Sequence, residues 1–215
     1  MCDKEKVSVE HAPPKCFFPS EMRNNLITVD SCKEHNEDTS LDDEYVKNII
    51  TMIFDGNDTA YKQFSEKTIK SFQRSSALLQ RTTQKKHSIN FNGIDTLDFE
   101  IDRDRIDFVM RKIGYALFYH KYNQRWLRKL ITATTHLKTP EFQNDEFGKL
   151  IEDAQNQHKP IYEGSNTDVF KFCFISLDDD IYNKFLIIKF YDGFEMWLIP
   201  DEESGESEPE LKTSY

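Results

Sequence analysis

The sequence predicts an α+β protein, because segments with helical spacing of apolar residues alternate with short segments rich in β-branched and aromatic residues. The chain has 215 residues, and 17 of them are phenylalanine, so a hydrophobic core of useful size can form. We expect four parts in chain order: a small metal-supported module at 1–56, a helical bridge at 57–87, an α+β domain at 88–200 and an acidic, disordered tail at 201–215.

The segment "SLDDEYVKNIITMIF" predicts a helix that begins near Ser40. Ser40 is the expected N-cap, acidic residues fill the first turn, and apolar residues follow at helical spacing. A second helical pattern runs from about Thr59 to Gln80, where aromatic and aliphatic residues supply one apolar side. The first helix completes the N-terminal module, and the second forms the bridge.

The segment "HSINFNGIDTLDFEI" predicts a β-hairpin, since apolar and polar residues alternate on both sides of an Asn-Gly turn. Residues 105–120 then place apolar side chains on one face, which predicts an amphipathic helix. The pattern between Trp126 and Leu137 is ambiguous, and Pro140 ends it. Three segments rich in β-branched and aromatic residues predict a closing antiparallel meander: "DVFKFCFISL", "KFLIIKFY" and "FEMWLIP".

Charge and hydropathy restrict the classes of partner. The formal net charge is -10, which argues against a protein that coats nucleic acid, because affinity for phosphate needs local lysine and arginine. No segment approaches the roughly 20 apolar residues that span a bilayer, and the N-terminus lacks the layout of a signal peptide. We therefore expect no membrane partner and a cytoplasmic location. The cysteines are then expected to be thiols or metal ligands, and the oligomeric state is not predicted.

Residues 1–40 concentrate side chains that bind metals. Cys32-x-x-His35 has the spacing at which two ligands on a tight turn reach one zinc ion, and Cys2 is the upstream thiol expected to join them. A tetrahedral site needs a fourth ligand: Cys16 or a water supplies it, or the true start of the protein lies upstream. Cysteine and histidine at such spacing also occur as ordinary packed or solvated side chains.

The same segment suggests hydrolysis of a phosphate ester. Glu10 supplies an oxygen ligand next to the imidazole of His11, and Asn25 and Asn36 carry amides that orient a ring or bind a metal. A divalent ion held by Glu10 and Asn36, with Mg²⁺ or Mn²⁺ expected, would neutralise phosphate charge while His11 takes a proton from the attacking water. Taken singly, each residue has an ordinary explanation, such as surface charge, a loop hydrogen bond or a turn.

Three motifs follow one another within residues 9–45: "VEHAPPKCFFP", "NNLITVDSCKEHN" and "SLDDEY". In order and spacing they resemble a bacterial branch of the HNH endonuclease superfamily, written approximately as C-x-x-C, E-H-x-P-P-K, N-L-I-T-V, C-x-x-C-N and S-x-D-D-E-Y. The resemblance implies a ββα-metal module (His-Me finger), in which a hairpin and a helix enclose the catalytic ion. It assigns the general base to His11 and a positioning role to Asn25. It gives the last motif position to Asn36, which would hold the ion with Glu10.

The chain departs from this pattern at three places. Cys2 stands alone where the family has a pair, His35 replaces the second cysteine of the other pair, and Glu10 replaces the aspartate of many active nucleases. The expected structural zinc on Cys2, Cys32 and His35 therefore lacks one ligand, and the longer Glu10 side chain changes the reach of the metal ligand.

A nuclease also needs a surface for the phosphate backbone. Arg23 lies among the motifs, and "HKYNQRWLRK" carries Arg125, Arg128 and Lys129 around Trp126, an arrangement that combines phosphate contacts with base stacking. A charged face is more often simply solvated. The predicted role of these cations is to bind nucleic acid, with DNA as the expected substrate.

The sequence thus predicts an HNH-like metal-dependent endonuclease, and two other functions stay open. In one, the module is catalytically degenerate, and zinc only stabilises a domain that binds nucleic acid or protein. In the other, the chain is a structural or partner protein whose aromatic-rich C-terminal body is the interaction surface.

Overall fold

The N-terminal part of the computed structural model is a short hairpin followed by a helix. Strands β1 (Ser8–His11) and β2 (Thr28–Ser31) pair antiparallel, with the 3-10 turns Lys15–Phe17 and Ser20–Met22 between them, and helix α1 (Ser40–Thr51) follows. The structure describes residues 6–32, 39–53, 55–91, 93–134, 149, 153, 156, 159–176 and 178–201. Helix α1 confirms the helix predicted from "SLDDEYVKNIITMIF".

The helical pattern predicted for residues 59–80 is confirmed as helix but is not continuous. It forms α2 (Asp58–Gln63), a π-helical turn (Phe64–Thr68), α3 (Ile69–Arg74) and α4 (Ser76–Thr82). The break before α4 lies at Ser75, whose hydroxyl accepts a hydrogen bond from the Leu78 N–H at 3.2 Å. A serine that caps the next helix competes with continuation of the previous one.

The predicted hairpin is confirmed as strands β3 (Gln84–Phe91) and β4 (Ile94–Glu100). At its turn the Gly93 N–H donates to the Asn90 Oδ1 at 2.9 Å, and Gly93 has a φ of 83°, which glycine adopts without strain. Most of the described side chains of this hairpin are exposed, so it adds little to the core.

Helix α5 (Arg103–Tyr122) is the longest helix described and confirms the amphipathic helix predicted at 105–120. Asp102 caps its first turn by accepting a hydrogen bond from the Arg105 N–H at 3.3 Å. Asn123 ends it in the left-handed conformation with a φ of 54°, which asparagine tolerates better than most residues.

The main sheet has four antiparallel strands in the order β5-β8-β7-β6, where the strands are β5 (Leu130–Ala133), β6 (Phe170–Ser176), β7 (Lys184–Phe190) and β8 (Phe194–Pro200). The last three strands confirm the predicted meander, and β5 occupies part of the segment whose pattern was ambiguous. Helix α5 packs on one face of the sheet. It comes close at Gly114, where a Cβ atom would lie only 2.5 Å from the Cδ2 of Leu198.

One continuous hydrophobic core joins the N-terminal hairpin, α1, α5 and one face of the main sheet. Phe17 and Phe190, from the two ends of the chain, pack with ring centroids 5.0 Å apart. A second, smaller cluster around Trp197 fills the other face of the sheet. The domain boundaries at 56 and 88 stay predictions, and the tail beyond Asp201 lies outside the described residues. Among the helices that the structure describes, none combines the length and apolarity needed to cross a membrane.

Candidate functional site

Strand β1 places Glu10 and His11 on opposite faces of the hairpin. Neighbouring residues of a strand point in opposite directions, and here Glu10 pairs with Val29 while His11 pairs with Thr28. Glu10 and Val29 are buried, whereas His11 is half-exposed and Thr28 is exposed. The acid and the imidazole that are adjacent in sequence therefore have different surroundings.

The Glu10 carboxylate is engaged on both of its oxygens. Its Oε1 lies 2.9 Å from the Nζ of Lys112 on helix α5, and its Oε2 accepts a hydrogen bond from the Ser31 hydroxyl at 3.3 Å. Glu10 is only 9% exposed. The oxygen atoms predicted to hold a metal ion thus hold an ammonium group and a hydroxyl.

Lys112 gathers further oxygen atoms around the same ammonium. Its Nζ donates to Asp43 Oδ1 at 2.8 Å, to Asp43 Oδ2 at 3.0 Å and to the Thr39 hydroxyl at 2.8 Å. Lys112 is 5% exposed. We call Glu10, Thr39, Asp43 and Lys112 the Lys112 cluster. It ties strand β1, the start of helix α1 and the middle of helix α5 together.

The start of helix α1 differs from the prediction by one residue. Thr39 is the residue that precedes the helix, and Ser40 is its first helical residue, so the expected capping role of Ser40 is wrong. The Thr39 hydroxyl makes no capping hydrogen bond, and it accepts a hydrogen bond from Lys112. Packing against α5 has thus overridden the local capping preference.

Two carboxylates share one ammonium in the Lys112 cluster, and the pKa values of both Asp43 and Lys112 are raised. Burial raises the pKa of Asp43 to about 6, against the opposing field of Lys112. Burial by itself would lower the pKa of Lys112, but Asp43 and Glu10 outweigh it and raise that pKa. Lys112 is therefore a charged ammonium at neutral pH.

A second buried polar group lies under helix α1, centred on the hydroxyl of Thr68. Its Oγ1 is 3.5 Å from the Lys47 Nζ, 3.5 Å from the Asn48 Oδ1 and 3.3 Å from the Thr51 Oγ1. Burial lowers the pKa of Lys47. Burial also raises the pKa of the Cys16 thiol to about 12, so Cys16, considered above as a fourth zinc ligand, is protonated at neutral pH.

His11 is the last residue of β1 and lies on the outer face of the hairpin. Burial and the charge of Lys15 lower the pKa of His11, while the charge of Glu10 opposes them. The imidazole is therefore neutral at pH 7, the form that accepts a proton. Its half-exposed ring is accessible from solvent.

Arg23 and Asn25 lie in the loop before β2, and hydrogen bonds to residues outside that loop fix its conformation. The Arg23 Nε donates to the Phe18 carbonyl at 3.0 Å. Asn25 is exposed and left-handed, with a φ of 54°, and its carbonyl accepts a hydrogen bond from the Ser165 hydroxyl at 2.9 Å. These contacts explain the conformation of the loop, and the roles expected for the Arg23 and Asn25 side chains stay predictions.

The structure describes two of the five predicted metal ligands, Glu10 and Cys32. Cys2, His35 and Asn36 lie outside the described residues, and Cys32 is buried, with 5% exposure. Within the part of the chain that the structure describes, no group of three or more His, Cys, Asp or Glu residues is arranged to hold a metal ion. The structural zinc and the catalytic ion stay predictions.

The basic segment around Trp126 does not have the predicted stacking platform. Trp126 is 1% exposed, and its Nε1 donates to the Tyr182 carbonyl at 2.8 Å, so the predicted stacking of this ring on a base is wrong. Arg128 pairs with Asp180 at 3.1 Å, Lys129 lies 3.9 Å from an Asp201 oxygen, and Arg125 is half-buried. Acidic neighbours thus offset part of the charge expected to bind phosphate.

Sequence reasoning missed Lys112, Asp43 and Thr39 as members of the site. One signal was present: Lys112 lies three residues after Val109 and four before Ala116, which are both buried. A lysine within the apolar stripe of an amphipathic helix predicts a buried ammonium, and a buried ammonium predicts acidic partners. Nothing in the spacing, however, identifies which acids those are.

Comparison of the whole chain with protein-family models, with curated proteins and with solved structures finds no match.

Proposed function

We propose that this chain is an HNH-like endonuclease in which His11 takes a proton from the water that attacks a phosphodiester bond. The observation that carries the proposal is the chain order of hairpin and helix, with His11 at the end of β1 and its ring on the open face of the hairpin. This order is the one that the resemblance of residues 2–45 implies for a ββα module.

The surroundings of His11 support a role as general base. A base must present an accessible, unprotonated nitrogen to a water molecule, and His11 is half-exposed on the outer face. Lys15, which is exposed, lies near enough to His11 for its charge to act on the ring. A cation beside the base also attracts the phosphate of a nucleic acid.

Mg²⁺ or Mn²⁺ stays the expected cofactor, and it would neutralise charge on the phosphate. Glu10 does not fit the role of its ligand, because both carboxylate oxygens already hold partners within the protein. We therefore keep Asn36 as the expected ligand and assign Glu10 the task of fixing strand β1, and with it the backbone of His11.

Cleavage of supercoiled plasmid DNA by the purified protein tests the proposal. We expect nicking when Mg²⁺ or Mn²⁺ is titrated into the reaction and none in the presence of a chelator. His11→Ala should slow nicking by about 10²- to 10⁴-fold, the usual contribution of a general base. His120→Ala, at an exposed position near the end of α5, is the matched control and should nick at the wild-type rate. Equal rates for wild type and His11→Ala would refute the assignment.

The second candidate function is a catalytically degenerate module that binds nucleic acid or protein. The engaged carboxylate of Glu10 favours it, since the acid next to the histidine is committed to Lys112. Retention of plasmid DNA without nicking at any metal concentration would support binding by such a module. If the protein neither binds nor nicks DNA, the result favours a role as a partner protein.

A further inference from the structure

We infer that Lys112 is a resident cation, whose ammonium takes the position between Glu10 and Asp43 that a metal ion would need. It joins the hairpin to helices α1 and α5 without a bound metal. Glu10 and Asp43 are then structural anchors of the module and are closed to a divalent ion in the native protein.

The geometry around the ammonium is that of a filled cation site. Four oxygen atoms lie between 2.8 and 3.0 Å from the Lys112 Nζ, and they come from Glu10, Asp43 and Thr39. An ammonium group has three hydrogen atoms to donate, and three partner residues receive them. The donor capacity of Lys112 is used in full, as a buried charge requires.

The charges exclude a second cation from the same position. Lys112 is 5% exposed and Glu10 is 9% exposed, so water screens the cluster poorly and like charges there repel strongly. A divalent ion at bonding distance from both carboxylates would lie where the ammonium is. Glu10 can therefore bind either a metal ion or the Lys112 ammonium, and in the structure it binds the ammonium.

Removal of the lysine side chain should convert the cluster into a divalent-ion site, which gives a test independent of nuclease activity. Ca²⁺ binds oxygen ligands at about 2.3–2.6 Å, so Glu10 and Asp43 need only close in slightly on the vacated position. We would measure the thermal midpoint of wild type and Lys112→Ala during a Ca²⁺ titration. At Ca²⁺ concentrations about 100 times the dissociation constant, the midpoint of Lys112→Ala should rise by roughly 5–10 °C more than that of wild type.

Two controls separate this effect from general binding of Ca²⁺ to the acidic chain. Lys189→Ala removes a half-buried lysine that, among the residues the structure describes, pairs with one carboxylate, Glu195, at 2.5 Å, and it should gain no Ca²⁺ response. Glu10→Gln in the Lys112→Ala background should abolish the gained response, because it removes one of the two carboxylates.

The proposal is overturned if Lys112→Ala folds and its midpoint responds to Ca²⁺ no more than that of wild type. If Lys112→Ala fails to fold, the Ca²⁺ titrations of wild type and Glu10→Gln test the proposal instead. Equal Ca²⁺ shifts in those two proteins support the resident cation, and a wild-type shift that Glu10→Gln abolishes overturns it, since Glu10 would then bind metal in the native protein. These midpoints do not depend on whether the protein cleaves DNA.

Discussion

Replacement of Lys112 by methionine should lower the free energy of unfolding by about 3–5 kcal/mol, the usual effect of removing one partner from a buried ion pair. Methionine has a similar length and fills the same space, so the loss comes from charge and not from a cavity. The substitution leaves the carboxylates of Glu10 and Asp43 buried beside each other without their ammonium partner. Burial of an uncompensated charge is among the most destabilising changes a protein can undergo.

Urea unfolding of the two proteins followed by circular dichroism would measure this difference. Lys62→Met is the matched control, since Lys62 pairs with Glu21 at 3.3 Å on the surface, where both side chains are more than half exposed. Exposed pairs of this kind contribute about 0–1 kcal/mol. A loss at Lys112 no larger than that at Lys62 would show that the Lys112 cluster does not hold the module together.

Trp126→Ala should lower the free energy of unfolding by about 3–5 kcal/mol, as expected for loss of a large buried aromatic side chain. Trp126 is fully enclosed between α5 and the main sheet. Its ring stacks on Phe118 with centroids 4.7 Å apart and packs against Phe174 at 5.8 Å. Its Nε1 also donates to the Tyr182 carbonyl at 2.8 Å, so that truncation leaves both a cavity and an unpaired carbonyl.

Tyr61→Ala is a suitable comparison, because Tyr61 is an aromatic residue with 73% exposure. Its loss should change stability by no more than about 0.5 kcal/mol. If Trp126→Ala is equally mild, the Trp126 ring does not pack between Phe118 and Phe174 in the folded protein, which would contradict the structure.

Elements with strong local signals were predictable from the sequence. Helix α5 has regular apolar spacing over five turns, and an Asp at its start and an Asn at its end mark its limits. The β3–β4 hairpin follows from its Asn-Gly turn. The closing meander follows from three strands rich in β-branched and aromatic residues. In helix α5 and the meander, local preference and tertiary packing agree, whereas the exposed β3–β4 hairpin follows from its local signal.

Where the structure departed from expectation, a contact distant in sequence decided the outcome. Strand β5 has too little periodicity to be recognised alone, and it exists because β8 offers an edge, with Leu130 opposite Pro200. Thr39, and not Ser40, is the residue that precedes helix α1. Its hydroxyl accepts a hydrogen bond from Lys112, which lies 73 positions further along the chain. Sequence patterns report local geometry and cannot report such partners.

The site was predictable only in part for the same reason. Residues 9–45 indicated which side chains carry chemistry, and the structure separates two of them: His11 faces outward, and Glu10 faces the helices. The sequence paired Glu10 with a metal ion because its carboxylate is an oxygen ligand next to the imidazole of His11. It could not show that an ammonium from α5 would reach the same oxygen atoms.

The assignment of Lys112 as a resident cation depends on its interaction with Glu10, because this contact fixes strand β1 and excludes a metal ion from Glu10. A double-mutant cycle with Glu10→Gln, Lys112→Met and the double variant measures this interaction directly by urea unfolding. We expect a coupling free energy of about 0.5–3 kcal/mol, the range for residues in one hydrogen-bond or salt-bridge network. A coupling free energy within error of zero would contradict the account, since the two side chains would then act independently in the folded protein.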